Sequence, residues 1–188
     1  MVDQKIRSFL AIELNNALVK EASFFVQQIK DKNSSFRFIP HQNWHLTLHF
    51  FGSLSPEKVD RLNEHLPSIF AQTKPFHILF SGFGGFPTNE RSRILWLGVK
   101  DETNQLLILK EQLDRALLKM NFPIETRSYH PHITIARAQK LEFCNFAGFE
   151  KNEFKAKAIV EKVSLFKSTL TSSGPEYVII QSFHFLNS

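Results

Sequence analysis

Two stretches of this chain, HLTLHFFG at residues 45–52 and HITIAR at residues 132–137, alternate polar and apolar side chains with a period of two. That period belongs to a half-buried β-strand, whose successive side chains point to opposite faces. In the first stretch His45, Thr47 and His49 share one face. Trp44, Leu46, Leu48 and Phe50 share the other and are expected in the core. In the second, His132 and Thr134 oppose Ile133 and Ile135. The two copies lie 87 residues apart, close to half of the 188-residue chain. A fold that keeps both must bury two matching apolar strand faces, which favours two similar halves, each contributing one strand to a shared cleft.

The remaining pattern supplies strands and helices in an order that restricts the topology. Residues 7–14 (RSFLAIEL) read as a strand. Residues 15–31 carry Leu18, Ala22, Phe25 and Ile29 at helical spacing, and DKNSS (31–35) is a turn. Ser55-Pro56-Glu57 has a helix-capping residue, proline at the first helical position and an early acid, so a helix runs from there to about Phe70. Residues 76–83 and 94–99 are strands, with SGFGGFPTNERS between them as a hairpin loop. A helix follows over 103–120, with Leu106, Leu109, Leu113 and Leu117 in register. Strands over 133–136, 160–168 and 177–185 complete the order, the last two around TSSGPE. Consecutive strands joined by short turns predict an α+β fold with antiparallel sheets, not a doubly wound parallel one. Gly82, Gly84 and Gly85 do not sit between a strand and a helix, which rules out a dinucleotide fingerprint.

Composition narrows the classes further. With 43% hydrophobic residues and 20 Phe the chain can bury a sizeable interior, so one domain over residues 1–188 is expected. The single cysteine, Cys144, excludes an intramolecular disulfide and a cysteine-based zinc site. The opening MVDQKIRSFLAIEL has too short an apolar run for a signal peptide, and no run approaches a membrane span. A cytoplasmic setting, no membrane association and a monomer without an obligate protein partner are the expectations. The net charge of +5 is compatible with a polyanionic partner.

The repeated motif points to chemistry at phosphorus. An in-line displacement needs one group to take a proton from the attacking water and another to protonate the departing oxygen. Histidine can do either near neutral pH. Two threonine hydroxyls can hydrogen-bond the non-bridging oxygens, and no cofactor or metal is needed. The competing reading is a metal bound by His41, His45 and His49. Their spacing of four aligns on a helix, whereas this segment alternates as a strand, and no carboxylate or cysteine lies nearby in sequence. A serine nucleophile lacks a G-x-S-x-G elbow.

HLTLHFFG with Pro40 upstream, together with RSYHPHITIAR, resembles the paired signatures of the two-histidine phosphoesterases. The likeness is greatest to the RNA 2′,3′-cyclic phosphodiesterases, also called 2′-5′ RNA ligase-type proteins. RSFLAIEL is similar to that family's first strand and VSLFKSTLTSSGPEYVI to its final hairpin. The resemblance implies a bilobal, pseudo-twofold fold with the motif strands lining a central groove. It implies hydrolysis of terminal 2′,3′-cyclic phosphates of RNA to 2′-phosphates, with reversible 2′-5′ ligation as a secondary activity. His45 is then the proton donor and His132 the acceptor, while Thr47 and Thr134 grip the phosphate. RNA ends or cyclic nucleotides are the implied substrates. The alternatives are the same chemistry on ADP-ribose cyclic phosphate or a 2′-5′ oligonucleotide, and a non-catalytic RNA-binding domain.

Further substrate contacts are expected from His49, which replaces a lysine frequent in relatives, from Arg137 at the strand end, and from Tyr129 or Phe51 stacking a terminal base. In a regular strand Arg137 falls on the face opposite His132. Arg91, Arg93, Arg127 and Lys167 are candidates for a basic rim.

Overall fold

The computed structural model describes residues 5–147, 157–172 and 174–186. Ser173, in the expected final turn, lies outside them. Strand β1 (Ile6–Glu13) leads into helix α1 (Asn16–Lys32), whose first turn is closed by the Asn15 side chain accepting from the Leu18 N–H at 2.9 Å. A short strand β2 (Arg37–Phe38) and a 3-10 turn (His41–Asn43) precede β3 (His45–Leu54). Helix α2 (Pro56–Phe70) starts where Ser55-Pro56 marked it. Then come β4 (Phe76–Pro87), β5 (Arg91–Lys100), α3 (Gln105–Lys119), β6 (His132–Phe143), β7 (Lys157–Val160), β8 (Lys162–Thr171) and β9 (Gly174–His184).

The strands form one curled antiparallel sheet in the order β7-β4-β5-β6-β3-β1-β8-β9, with β2 added beside β6. It reads as two four-stranded halves, joined where β3 meets β6 through the pair Leu46↔Ile133. Both residues are fully buried, so the junction is held by apolar packing rather than by a long ladder. The main core lies on the helix side of the sheet. There Leu18, Ala22, Val26 and Ile29 of α1, Leu62, Leu66 and Phe70 of α2, and Leu106, Leu113 and Leu117 of α3 meet Leu46, Leu48, Ile133 and Ile135. Val26 occupies the stripe expected of Phe25, which is half-buried at its margin.

Beyond the short strands β2 and β7, which the sequence reading did not contain, the β4–β5 hairpin and β6 run further than expected. SGFGGFPTNERS is mostly strand, and the turn is confined to residues 88–90. The reason is tertiary: the Trp96 ring occupies the space that a Cβ on Gly84 would need, so glycine here permits close packing rather than a turn. Likewise β6 runs to Phe143, because β5 pairs with it as far as Arg91↔Phe143.

Candidate active site

Both motifs sit on the sheet face away from the helices, flanking the Leu46–Ile133 junction. Their burial profiles from the histidine onward are the same: half-buried, buried, half-buried, buried, buried, exposed. The doubled buried residue marks a β-bulge in each strand. Leu48 is the extra residue on β3, between the pairs Ala11↔Thr47 and Leu10↔His49. Ile135 is its counterpart on β6, between Trp96↔Thr134 and Leu95↔Ala136. A bulge reverses the alternation beyond it.

The bulges correct three expectations. His49 turns to the helix side, is only 6% exposed, and lies within electrostatic range of Lys110 and Asp114 on α3. It is therefore not a phosphate contact, and the set His41, His45 and His49 is not assembled. Phe50, expected in the core, is 49% exposed on the groove face, with the Arg7 guanidinium 4.6 Å from its ring centroid. Arg137, the counterpart of Phe50, joins the face of His132 and Thr134. Its charge reaches His45, His132 and Tyr177.

The two imidazoles are anchored alike. His45 Nδ1 lies 2.8 Å from the carbonyl of Asn43, and His132 Nδ1 lies 2.7 Å from that of His130. A carbonyl only accepts, so each Nδ1 carries the hydrogen and each Nε2 is left as the proton-exchanging atom. His45 is walled by Phe9, with ring centroids 4.7 Å apart, and by Tyr177 at 5.2 Å, with Phe166 behind. His132 is walled by Phe86 at 5.1 Å and Trp96 at 6.4 Å. The sequence singled out none of these aromatics. With 20 Phe in the chain, no local signal separates a wall from the core.

Burial, followed by the charges of Arg137 and His132, holds His45 well below the ordinary imidazole range, at about 4. His132 is lowered too, by burial first and then by Arg137 and His130. Among the described residues, neither the Thr47 nor the Thr134 hydroxyl has a hydrogen-bond partner, and Arg137 forms no ion pair. Three uncommitted hydrogen-bonding groups and two imidazoles therefore share one face, an arrangement suited to a tetrahedral anion.

Tyr129 and Phe51 do not offer stacking surfaces. The Tyr129 hydroxyl donates to the Thr47 carbonyl at 2.9 Å. Phe51 packs between His49 and Phe122 on the helix side, with centroids at 4.5 and 5.5 Å. Arg127 is exposed and paired with Glu125, Arg91 lies over Phe143, and Arg93 and Lys167 are exposed. A cleft of about 440 Å³ opens beside His45, lined in part by Glu13, Asn16, His41, Asn43, Phe166 and Tyr177. A larger one, about 700 Å³, lies between the end of α2, β4 and α3 and contains no motif residue. Among the described residues, no three His, Cys, Asp or Glu side chains cluster as metal ligands, and no helix is long and apolar enough to cross a membrane.

Buried His49 gives the fold a pH dependence. Burial, then the nearby Lys110 charge, lowers its pKa to about 4, so the unfolded chain binds a proton below about 6.5 that the folded protein refuses until about 4. Stability is complete above pH 6.5 and falls as the pH drops through that window, with His49 contributing about 3 kcal/mol. Urea unfolding at pH 7 and 4.5 is expected to show His49→Leu losing about 2 kcal/mol less than the parent on acidification. Equal losses would show that His49 does not titrate this way.

The fold and site together define a class: an α+β scaffold with one curled antiparallel sheet that presents two His-x-Thr pairs, one from each four-stranded half, on the same face. The profile of the 2′-5′ RNA ligase superfamily matches residues 18–169. The RNA 2′,3′-cyclic phosphodiesterase of Methanothermobacter thermautotrophicus is 31% identical over 95% of this chain and 98% of its own. That of Thermotoga maritima is 30% identical over 96% of each. Among solved structures, TT0787 of Thermus thermophilus superposes with a TM-score of 0.79 at 22% identity, covering 96% of this chain and 98% of that one. Apo E. coli LigT gives 0.75 at 22%, covering 98% and 99%. The chain belongs to the 2′-5′ RNA ligase superfamily, the two-histidine phosphoesterases.

Proposed function

We propose that this protein is an RNA 2′,3′-cyclic phosphodiesterase that opens terminal cyclic phosphates to 2′-phosphates by acid–base catalysis between His45 and His132. The observation that carries the reading is the matched anchoring of two imidazoles through Nδ1, which leaves both Nε2 atoms to exchange protons on one sheet face. Relatives named for this activity at about 30% identity over nearly the full length support it.

In the mechanism, His132 Nε2 takes a proton from a water that attacks phosphorus in line with the 3′ oxygen. The new P–O bond forms as P–O3′ breaks, and His45 Nε2–H protonates the departing 3′ oxygen. The product keeps its phosphate on the 2′ oxygen, and proton exchange with solvent resets the pair. Thr47 and Thr134 donate to the non-bridging oxygens, and Arg137 offsets their charge. The near symmetry of the two imidazoles does not order their roles; the order follows the family resemblance. The cleft beside His45 is large enough for the nucleoside that bears the departing oxygen, which agrees with that order. The sheet runs unbroken through both halves, and we take the chain to act as one bilobal unit, as a monomer, on RNA ends in the cytoplasm.

The test is hydrolysis of nucleoside 2′,3′-cyclic phosphates and of a short cyclic-phosphate-ended RNA in EDTA, with 2′ and 3′ products separated. A 2′-phosphate formed at the same rate with and without EDTA is expected. A 3′-phosphate would reverse the assigned leaving oxygen, and a strict need for added metal would overturn the mechanism.

A further inference from the structure

The two half-sites have little ladder between them. Among the described residues β3 and β6 share only the pair Leu46↔Ile133, yet an in-line reaction requires the phosphate contacts of one strand and the imidazole of the other to keep a fixed separation. The Tyr129 side chain bridges them directly. Tyr129 lies three residues before His132, and its hydroxyl donates across to the Thr47 carbonyl at 2.9 Å, 82 residues away in sequence. The next residue along, His130, supplies the carbonyl that fixes His132 Nδ1. The dipeptide Tyr129-His130 thus holds the backbone of the first motif with one residue and the imidazole of the second with the other. The phenol is held in turn. Its ring packs against the main core, with Lys110 Nζ 5.5 Å from the centroid, and Lys110 is ion-paired with Asp114 on α3. The other half is tied differently: the Trp44 indole N–H donates to the Ile39 carbonyl at 3.0 Å, and the Ile39 N–H donates to the Ile135 carbonyl of β6 at 2.8 Å, not to that of Thr134. Gln42, at the matching position before His45, is exposed, and Asn43 beside it bonds to the Pro175 carbonyl of β9 instead of reaching β6.

We infer that Tyr129 is a positioning residue that sets the spacing between the two half-sites by holding the Thr47 backbone against the segment that orients His132. It acts through Thr47 and does not touch the reacting atoms. The inference rests on the proposed role of Thr47 in binding phosphate.

Tyr129→Phe keeps the ring and its packing and removes only the donor. On a cyclic-phosphate-ended RNA it is expected to lower kcat about tenfold and leave KM nearly unchanged, since a misplaced contact costs most in the transition state. A double-mutant cycle separates positioning from general loosening. In a Thr47→Ala background the hydroxyl being positioned is gone, and Tyr129→Phe should cost less than about twofold. In a Thr134→Ala background it should still cost about tenfold. Turnover of Tyr129→Phe within twofold of the parent would overturn the inference. So would equal losses in both backgrounds, which would indicate a diffuse structural effect. If Thr47→Ala alone keeps parental turnover, the reading of Thr47 as a phosphate contact fails and the inference falls with it. A slow Thr47→Ala enzyme with an additive Tyr129→Phe effect sinks only the inference.

Discussion

Replacing His45 or His132 with alanine is expected to reduce kcat for cyclic phosphate hydrolysis by about 10²–10⁴-fold, with folding intact. Each imidazole is half-buried on the groove face and outside the main core, so its loss costs chemistry more than packing. The two losses should be far from additive in the double variant, because either one alone removes concerted proton transfer. The pH dependence gives the same pair a second signature. In the proposed mechanism the working enzyme carries one proton on the two imidazoles. In the free site both are depressed, by burial first and by the Arg137 charge after it. The singly protonated form is therefore abundant only on the acid side of 6.5, and kcat/KM, which reads the free enzyme, should fall as pH rises from below that value. A bound phosphate brings negative charge and raises both histidines, so the alkaline limb of kcat should lie at higher pH than that of kcat/KM. Near-parental turnover in either alanine variant would end the acid–base reading. A substrate with a nitrophenolate leaving group separates the roles: it needs no protonation on departure, so it should restore activity to His45→Ala but not to His132→Ala.

Arg137→Ala is expected to lower kcat/KM by about 10–100-fold, the range for losing a charge-assisted hydrogen bond to an anion. Its guanidinium has no ion pair among the described residues, and its charge registers on both motif imidazoles. Removing it should also let His45 and His132 titrate higher, moving the alkaline limb of kcat/KM upward even as the rate falls. That opposite movement distinguishes loss of an anion contact from simple damage to the strand. Arg127→Ala serves as the control. Arg127 is exposed and paired with Glu125, and its loss should leave kcat/KM within about twofold, as removing a surface ion pair usually does. A large effect at Arg127 together with none at Arg137 would place the phosphate elsewhere.

Much of this fold was legible in the chain itself. Hydrophobic period gave α1, α2 and α3 nearly to their ends, and proline at the first helical position marked where α2 begins, although the Ser55 side chain makes no capping hydrogen bond. The antiparallel α+β class followed from the order of elements and their short turns, and the expectation that His45-x-Thr47 and His132-x-Thr134 belong together followed from the repeated motif. Short strands completed only by their partners were not legible. β2 and β7 have 2 and 4 residues and exist because β6 and β4 supply ladders for them. The glycines of β4 looked like a loop because the Trp96 ring that occupies the space above Gly84 is distant in sequence.

The clearest division falls within a few residues of each histidine. Up to Thr47 and Thr134, period-two alternation decides which side chain faces the groove, and the sequence suffices. One residue later Leu48 and Ile135 bulge, because β1 and β5 advance by one residue there while β3 and β6 advance by two. That mismatch is a property of strand pairs and appears in neither strand read alone. It sends His49 into the interior, brings Phe50 and Arg137 out, and sets a residue expected on the far face beside the two imidazoles. The sequence by itself determined which chemical groups this protein gathers on one sheet face, two imidazoles and two threonine hydroxyls. Only the tertiary structure, through ladder register, decided which of the flanking side chains join them and which, like His49, turn toward Lys110 and Asp114.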